Sequence, residues 1–374
     1  ILKNEQTYYT ISYGLGSPAQ PFRGLVDTGS ADIWVMGTDN PSCKENSPTG
    51  TYSCANAGIF NKATSSTFNT GVDSPNFDLS YNDGTAVSGT YGKDTMTLSG
   101  ASIPGVQFAV ASRSSSSLAV FGVGPQYLES SYYLYDNLPI VLANSKMINS
   151  QAYSLYLNGR ETTGASILFG GVDSAKYTGG LYTIPMVSRY NGYPTPPEFT
   201  IALNSISYTV GGTETVAAAR PMIALLDSGT SLMYLPSDIV NKIATAYSAT
   251  YTSSVGAYVY DCGTSAKSDN FLTFTFSGVE MNIPLQVASL PYSGNRCILG
   301  MSQTSSDNNI ILGDTFLRAV YTVFDLTNSQ VAMAQSINGA TSSSVEEITA
   351  DLIPGAVPYS DFKGSRKNVA IISS

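Results

Sequence analysis

The chain has 374 residues, of which 12% are charged and 43% hydrophobic, and its formal net charge at pH 7 is −9. A chain with this net negative charge does not have the basic surface expected of a nucleic-acid-binding protein. The same charge would oppose attraction to anionic membranes. Histidine is absent, which excludes Ser-His-Asp and Cys-His nucleophiles and the common histidine-based zinc sites. Acid–base chemistry must then depend on carboxylates, lysine, tyrosine or cysteine. No apolar run is long enough to predict a transmembrane helix.

In chain order, most predicted elements are short β-strands bounded by turns. The first strand is predicted at 8–13, before the turn residues at 16–18. Alternating residues on both sides of Asn82-Asp83-Gly84-Thr85 predict a β-hairpin, with strands at 77–81 and 86–91. Further strands are predicted at 167–169, 199–203 and 271–276. Helices are predicted only at 138–142 and 236–247, the second with Ser237 as its N-cap. The fold class is therefore predicted to be all-β with minor helices.

The most informative feature is a turn that occurs twice, Asp-Thr-Gly-Ser at 27–30 and Asp-Ser-Gly-Thr at 227–230. Each copy follows two apolar residues and precedes another apolar stretch. The two aspartates are 200 positions apart, so the chain is predicted to consist of two related halves. A carboxylate at the end of an apolar strand, beside hydroxyls and a glycine, belongs to a dry, tight turn. Two such turns facing each other would form a carboxylate pair that shares one proton.

Each half also supplies an apolar-apolar-glycine segment, Val120-Phe121-Gly122 in the first and Ile311-Leu312-Gly313 in the second. The proline-rich stretch 190–197 is the predicted join between the halves. The predicted domains are accordingly 1–189 as an N-terminal lobe, 190–339 as a C-terminal lobe and 340–374 as a tail. We expect the tail to lie over the body or to be partly loose.

Four cysteines, Cys43, Cys54, Cys262 and Cys297, allow three disulfide pairings. Pairing nearest neighbours gives one bridge in each half, Cys43–Cys54 and Cys262–Cys297, and we predict this pairing. A zinc site would favour the short Cys-x2-Cys spacing, which the sequence lacks. Two structural disulfides indicate an oxidising compartment. Because the sequence begins Ile1-Leu2-Lys3 without Met, we interpret it as a processed mature form.

On these residues the chain resembles the pepsin-like aspartic proteases, and most closely the secreted fungal candidapepsins and yapsin-like enzymes. The resemblance covers roughly residues 5–338 and rests on several motifs in the same order. They are the two aspartate turns, Trp34, the hairpin tip Tyr81-Asn82-Asp83-Gly84-Thr85 and the segment 311–318. The second turn reads Asp-Ser-Gly where Asp-Thr-Gly is commoner, but Ser228 keeps the hydroxyl. Val120-Phe121-Gly122 is bulkier than the usual Ile-Leu-Gly.

The resemblance implies a bilobal, pepsin-like fold of two β-barrel-like lobes with the active site in the cleft between them. It implies a secreted aspartic endopeptidase that cleaves proteins at acidic pH through a water activated by Asp27 and Asp227. It also implies a hairpin that closes over the substrate, with Tyr81 hydrogen-bonded to Trp34. The implied substrate-binding residues are Gly29, Tyr81, Asp83, Gly84, Gly229 and Thr230. The implied supporting residues are Thr28, Ser30, Trp34 and Ser228.

The expected partners are protein and peptide substrates and pepstatin-type inhibitors, with neither cofactor nor metal, and we expect a monomer. The expected location is extracellular, cell-wall associated or vacuolar. Two alternatives are a catalytically silent homologue that binds peptides or glycans, and a secreted structural β protein. Intact Asp27, Asp227 and Tyr81 argue against the first, and the second leaves the duplicated turns without a purpose. Inhibition by pepstatin would separate the enzyme from both. Other aspartates, including Asp32 and Asp78, are interpreted as structural or solvated.

Overall fold

A computed structural model describes residues 1–43, 54–81, 84–160 and 162–361. The chain divides into two compact units. The N-terminal unit consists of Leu2 and Tyr9–Ile148, and the C-terminal unit consists of Ile1, Lys3–Tyr8 and the residues from Asn149 onward. Strands dominate both units, which confirms the all-β prediction.

The N-terminal unit is built on one twisted sheet with the order β2-β3-β9-β4-β8-β7-β6 and with β5 added to β4. Strand β4 lies inside the sheet between β9 and β8, and it is buried at all five positions. The strands are β1 (Leu2–Asn4, of which Leu2 falls in this unit), β2 (Tyr9–Leu15), β3 (Gln20–Asp27), β4 (Ile33–Gly37), β5 (Ile59–Phe60), β6 (Asn76–Ser80), β7 (Ala86–Leu98), β8 (Ala101–Ser114) and β9 (Ala119–Gly122).

Helix α1 (Leu138–Asn144) begins with proline in its first turn and buries Leu138 and Leu142. The predicted hairpin is present, since β6 pairs antiparallel with β7 from Asn76↔Thr90 to Ser80↔Ala86. Its base packs into a cluster that contains Trp34, Phe77 and Tyr91, all at most 2% exposed. The hairpin is therefore anchored in the core of its own unit.

Among its described residues, the C-terminal unit contains four sheets. Their strand orders are β11-β10-β25-β26-β13-β28, β12-β27, β20-β19-β14-β15-β24-β16-β23 and β17-β18-β22-β21. The strands are β10 (Ala152–Tyr156), β11 (Ser166–Phe169), β12 (Gly171–Asp173), β13 (Tyr177–Pro185), β14 (Thr200–Val210), β15 (Thr213–Leu226), β16 (Met233–Pro236), β17 (Thr250–Thr252), β18 (Ala257–Asp261), β19 (Phe271–Phe276), β20 (Val279–Pro284), β21 (Ser289–Ser293), β22 (Arg296–Leu299), β23 (Met301–Thr304), β24 (Ile310–Leu312), β25 (Val320–Asp325), β26 (Gln330–Ser336), β27 (Val345–Glu347) and β28 (Ala356–Pro358).

The helices of this unit are α2 (Ser237–Ala246), α3 (Cys262–Ser265) and α4 (Asp314–Leu317). The predicted N-cap is wrong by one residue: Pro236 occupies the cap position and Ser237 is already helical. Pro236 has no side-chain acceptor, so burial of Ile239, Val240 and Ile243 on one face, and not a cap, stabilises α2. Single 3₁₀ turns complete the description of both units: Pro41–Cys43, Cys54–Asn56, Lys62–Thr64, Gln126–Leu128, Ser174–Lys176 and Tyr359–Asp361.

The contact division differs from the predicted boundary at residue 189. Residues 149–189 belong to the C-terminal unit because β10 pairs with β25 and β13 pairs with β26. The proline-rich stretch 190–197 is thus an internal loop of the C-terminal unit, and the change of unit falls between Ile148 and Asn149.

The segment after Gly339 was expected to lie over the body or to be partly loose, and through residue 361 it is part of the sheets. Strand β27 pairs with β12, and β28 adds in parallel to β13. Ile348 and Ile353, at 0% and 4% exposed, enter the same core as Tyr321. The Lys176 ammonium group donates to the carbonyl oxygens of Ala340 and Ser342 at 3.1 and 2.8 Å, and fixes the start of this segment.

Both predicted disulfides are present, Cys43–Cys54 in the N-terminal unit and Cys262–Cys297 in the C-terminal unit. Cys54 and Cys297 are buried, at 3% and 8% exposed. In the part of the chain that the structure describes, every helix is too short or too polar to span a bilayer.

Candidate active site

The first aspartate turn lies at the end of β3. This strand pairs in parallel with β9, and Asp27 stands opposite Gly122. Gly122 is required because a Cβ there would lie 2.5 Å from the carbonyl oxygen of Asp32. The following residue, Val123, donates its backbone N–H to the carbonyl oxygen of Asp27 at 2.9 Å. Gly124 donates its backbone N–H to the carbonyl oxygen of Ser30 at 2.8 Å. The residues at and just after the apolar-glycine segment therefore fix the backbone of the turn.

The Asp27 carboxylate is held from two sides and is 5% exposed. The backbone N–H of Gly29 donates to Oδ1 at 2.8 Å, and the hydroxyl of Ser30 donates to Oδ2 at 2.5 Å. Hydrogen bonds to both oxygens stabilise the ionised form and fix the plane of the group. The supporting residue Thr28 is completely buried.

The second turn, in the C-terminal unit, has the same construction. Gly229 N–H donates to Asp227 Oδ1 at 2.8 Å, and the hydroxyl of Thr230 donates to Oδ2 at 2.6 Å. Asp227 is 9% exposed and Ser228 is completely buried, as Thr28 is in the first turn. The repeated sequence at 27–30 and 227–230 therefore forms the same hydrogen bonds around each carboxylate.

The second apolar-glycine segment fixes the backbone of its turn in the same way. Strand β15 pairs in parallel with β24, with Leu226 opposite Leu312. A Cβ on Gly313 would lie 2.2 Å from the carbonyl oxygen of Thr230, which excludes any larger residue. Asp314 donates its backbone N–H to the same oxygen at 2.8 Å.

At the hairpin tip, Tyr81 N–H donates to the carbonyl oxygen of Thr85 at 2.8 Å, and Gly84 N–H donates to that of Tyr81 at 3.0 Å. Gly84 has φ +86°, a conformation that favours glycine, and nothing lies within 4 Å of a Cβ built there. Asn82 and Asp83 lie outside the described residues. Trp34 Nε1 donates to Tyr81 Oη at 2.8 Å, as the resemblance implied.

The Tyr81 hydroxyl interacts electrostatically with Asp27, the first catalytic candidate. Burial raises its pKa, and the negative charge of Asp27 raises it further. The ring is half-buried against the cluster that contains Trp34, Phe77 and Tyr91, and this contact ties the tip of the hairpin to the core. The hydroxyl therefore stays protonated at every pH at which a protease of this kind works.

Sequence reasoning missed Asp32, which is a buried hydrogen-bond acceptor. It is 0% exposed and accepts from Tyr135 Oη at 2.6 Å, Tyr91 Oη at 2.7 Å and Ser130 N at 2.7 Å. Burial raises the pKa of this carboxyl, and the three hydrogen bonds oppose that rise. The residue lies two positions after the turn, but nothing in its sequence position identifies the tyrosines that bind it.

Sequence reasoning also missed Glu129 and Asp314 as buried acids. Burial raises the pKa of Glu129 to about 9. It raises the pKa of Asp314 well above the ordinary range, and the charge of Asp227 adds to the rise while Arg318 opposes it. Within the described residues neither oxygen of Asp314 has a hydrogen-bond partner. The position of Asp314 directly after Ile311-Leu312-Gly313 could have indicated a buried acid, because that segment is apolar.

Comparison with known proteins gives a consistent result. Residues 8–336 match the family of eukaryotic aspartyl proteases. Aspartic proteinase 3 of Saccharomyces cerevisiae is 37% identical, over 96% of this chain and 74% of its own length. Aspartic proteinase yapsin-3 of the same yeast is 36% identical, over 100% of this chain and 75% of its own. Secreted aspartic protease 7 of Candida albicans is 34% identical, over 90% of this chain and 61% of its own length.

Proposed function

Since the chain belongs to the eukaryotic aspartyl protease family and is an aspartic-type endopeptidase, we propose that Asp27 and Asp227 are its catalytic pair. The observation that carries the proposal is the matching geometry of the two turns. Each carboxylate accepts a glycine N–H on Oδ1 and a hydroxyl on Oδ2. Each is nearly buried yet keeps some exposure, which a group that meets water and substrate requires.

The proposed chemistry follows from sharing one proton between two carboxyl groups, for which aspartic proteases are the standard example. The ionised member takes a proton from a water, whose oxygen attacks the scissile carbonyl carbon. The protonated member donates a hydrogen bond to the carbonyl oxygen as charge develops there. The C–N bond then breaks, and a proton passes to the leaving amine. Because the two groups titrate as a unit, their roles belong to the pair.

Substrates are proteins and peptides, as the family implies. We propose that an extended peptide contacts Gly29 in the first turn and Gly229 and Thr230 in the second. Tyr81 and Gly84 would contact it from the hairpin, and Asp83 keeps this role only as a prediction. The backbone at Gly84 is open on its Cβ side, so a peptide strand can approach it closely.

We propose an activity maximum below neutral pH. Turnover needs one protonated carboxyl in the pair, and raising the pH removes that proton. The raised pKa values of Glu129 and Asp314 support a fold that is stable in acid, because buried carboxyls are most easily kept neutral there.

We further propose that the enzyme is secreted, acts as a monomer and is inhibited by pepstatin. The two disulfides support an oxidising compartment. A relative from Candida albicans is named as a secreted protease, which supports the same location.

The test is turnover of a casein or peptide-library substrate between pH 3 and pH 8 by Asp27→Asn and Asp227→Asn. Both variants should fold with the parent's circular dichroism and lose essentially all activity. Asp39→Asn and Asp269→Asn, exposed positions in each unit, are matched controls and should keep it. Substantial turnover by either catalytic variant, or full activity of the parent above pH 8, would contradict the proposal. Failure of pepstatin to inhibit the parent would contradict the inhibitor proposal alone.

A further inference from the structure

The Asp32 carboxylate joins three segments of the N-terminal unit. It lies two residues after the Asp27 turn, and its own carbonyl oxygen accepts the N–H of Gly122 at 3.2 Å. Its side chain accepts from Tyr91, which lies on β7, the second strand of the hairpin. It also accepts from Ser130 and Tyr135, which lie on the segment between β9 and α1.

The first strand of the hairpin is connected to the same group through one further residue. The hydroxyl of Ser130 donates to the carbonyl oxygen of Asp78 on β6, while the N–H of Ser130 donates to Asp32. Both strands of the hairpin are therefore tied to Asp32, β7 directly through Tyr91 and β6 through Ser130, which binds Asp78 at the middle of that strand. The tip that carries Tyr81 and Gly84 extends beyond these ties.

The chemistry of the donors matches an ionised carboxylate. All three partners are N–H or O–H donors, and a carboxylate is the side chain that can accept from all of them. Hydrogen bonds to a charged acceptor are about twice as strong as neutral ones, so the ties are stiff. A protonated or amide side chain would have to turn a donor toward one of these three groups.

We propose that Asp32 is a positioning residue that sets where the hairpin tip stands relative to the catalytic turn. This inference rests on the proposed roles of Asp27 in catalysis and of Tyr81 in substrate binding. Asp32 itself does not contact the substrate: it acts through Tyr91 and Ser130 on the two strands. Loosening these ties should weaken peptide binding more than it changes the chemical step.

The test uses substitutions that remove one hydrogen bond and keep the ring, Tyr91→Phe and Tyr135→Phe. Tyr13→Phe is the matched control, because the buried Tyr13 hydroxyl has no hydrogen-bond partner among the described residues. Each test variant should raise KM about three- to tenfold and leave kcat within about twofold, the pattern of lost uniform binding. The control should match the parent in both constants.

A second measurement uses Trp34, the only tryptophan in the chain, whose Nε1 is bonded to Tyr81 Oη. Its emission spectrum reports whether the tip is in place, and Tyr81→Phe supplies the reference for loss of that bond. Tyr91→Phe and Tyr135→Phe should shift the emission toward that reference, and Tyr13→Phe should not. Asp32→Asn should give the largest shift. If Asp32→Asn does not fold, the two tyrosine variants decide the question.

Variants with a lower unfolding temperature, but with parental KM and parental Trp34 emission, would show that Asp32 only stabilises the fold, and the inference would be wrong. The proposed function is judged separately by Asp27→Asn. An inactive Asp27→Asn combined with normal tyrosine variants overturns only the positioning role. An active Asp27→Asn overturns the catalytic assignment on which the inference depends.

Discussion

Glu129 makes the stability of this protein depend on pH in a direction that can be measured. Its side chain is buried, and Oε2 accepts the backbone N–H of Tyr135 at 2.8 Å. Oε1 is buried without a hydrogen-bond partner among the described residues. Burial raises the pKa from 4.5 to about 9; the charges of Asp32 and Asp136 add to the rise, and the Tyr135 hydrogen bond opposes it. The phenols of Tyr91 and Tyr135 also interact electrostatically with it.

The sign follows from comparing the folded and unfolded chains. The folded-state pKa lies above the unfolded value, so folding favours the neutral carboxyl. The contribution is fully present below pH 4.5 and is lost as the pH rises toward about 9. Each pH unit in this window costs about 1.4 kcal/mol, so going from pH 4.5 to pH 7 should lower the free energy of unfolding by about 3 kcal/mol.

Replacing Glu129 by Gln removes this titration and keeps the size of the side chain. Below pH 4 the free energies of unfolding of the parent and E129Q should differ by a constant amount. By pH 7 this difference should have changed by about 3 kcal/mol in favour of E129Q. Urea unfolding followed by circular dichroism at one-unit pH steps measures the difference. Both proteins carry Asp27→Asn to prevent self-digestion. E214Q, at an exposed position, is the control. Parallel curves for the parent and E129Q would refute the reasoning.

Three further outcomes are expected. Replacing Cys262 and Cys297 by alanine opens a loop with a sequence separation of 35 and should cost about 4 kcal/mol of stability, measured by urea unfolding; a loss below about 1 kcal/mol would contradict this. Arg220→Gln should destabilise the protein by less than about 1 kcal/mol near pH 6, because hydrogen bonds from Arg220 lower the pKa of the half-exposed Asp238. The stability difference between the parent and Arg220→Gln should vanish as the pH falls from 3.8 through the lower folded-state pKa of Asp238. A difference that persists at pH 2 would contradict the assignment of the effect to the Asp238 carboxylate. Lys176→Met should release the segment after residue 339, seen as faster amide exchange at 345–347, and unchanged exchange there would be evidence against the anchor.

The features that sequence could predict are those encoded by neighbours along the chain. The two aspartate turns need a strand end, a hydroxyl and a glycine within four residues, and in both turns the carboxylate accepts from a glycine N–H and a hydroxyl. The β6–β7 hairpin has alternation on both sides of a turn, and it is present, although its second strand extends to Leu98 and not to the predicted residue 91. The disulfides follow from proximity in sequence, 11 and 35 positions apart.

The features that sequence could not predict depend on residues far apart in the chain. The boundary at 189 differs because β10 finds its partner in β25, about 170 residues later, and no local pattern encodes such a pairing. Asp32 was interpreted as structural or solvated, and its buried network forms only when Tyr91 and Tyr135 arrive from other segments. Charge at a sequence position does not indicate burial, since burial is set by the packing of other elements.

The order in which the chain is synthesised has a consequence for how the two units form. Residues 9–148 are contiguous, so the N-terminal unit can fold while the remainder is still being made. The C-terminal unit also includes residues 3–8, which are made before the N-terminal unit and must wait for partners made after it. The Gln6 carbonyl oxygen accepts from Arg318, 312 positions later, and β13 gains its parallel neighbour only when 356–358 appear. A nascent chain stopped before residue 345 would therefore hold a finished N-terminal unit and an incomplete C-terminal one, and activity should appear only after residue 358 has been made.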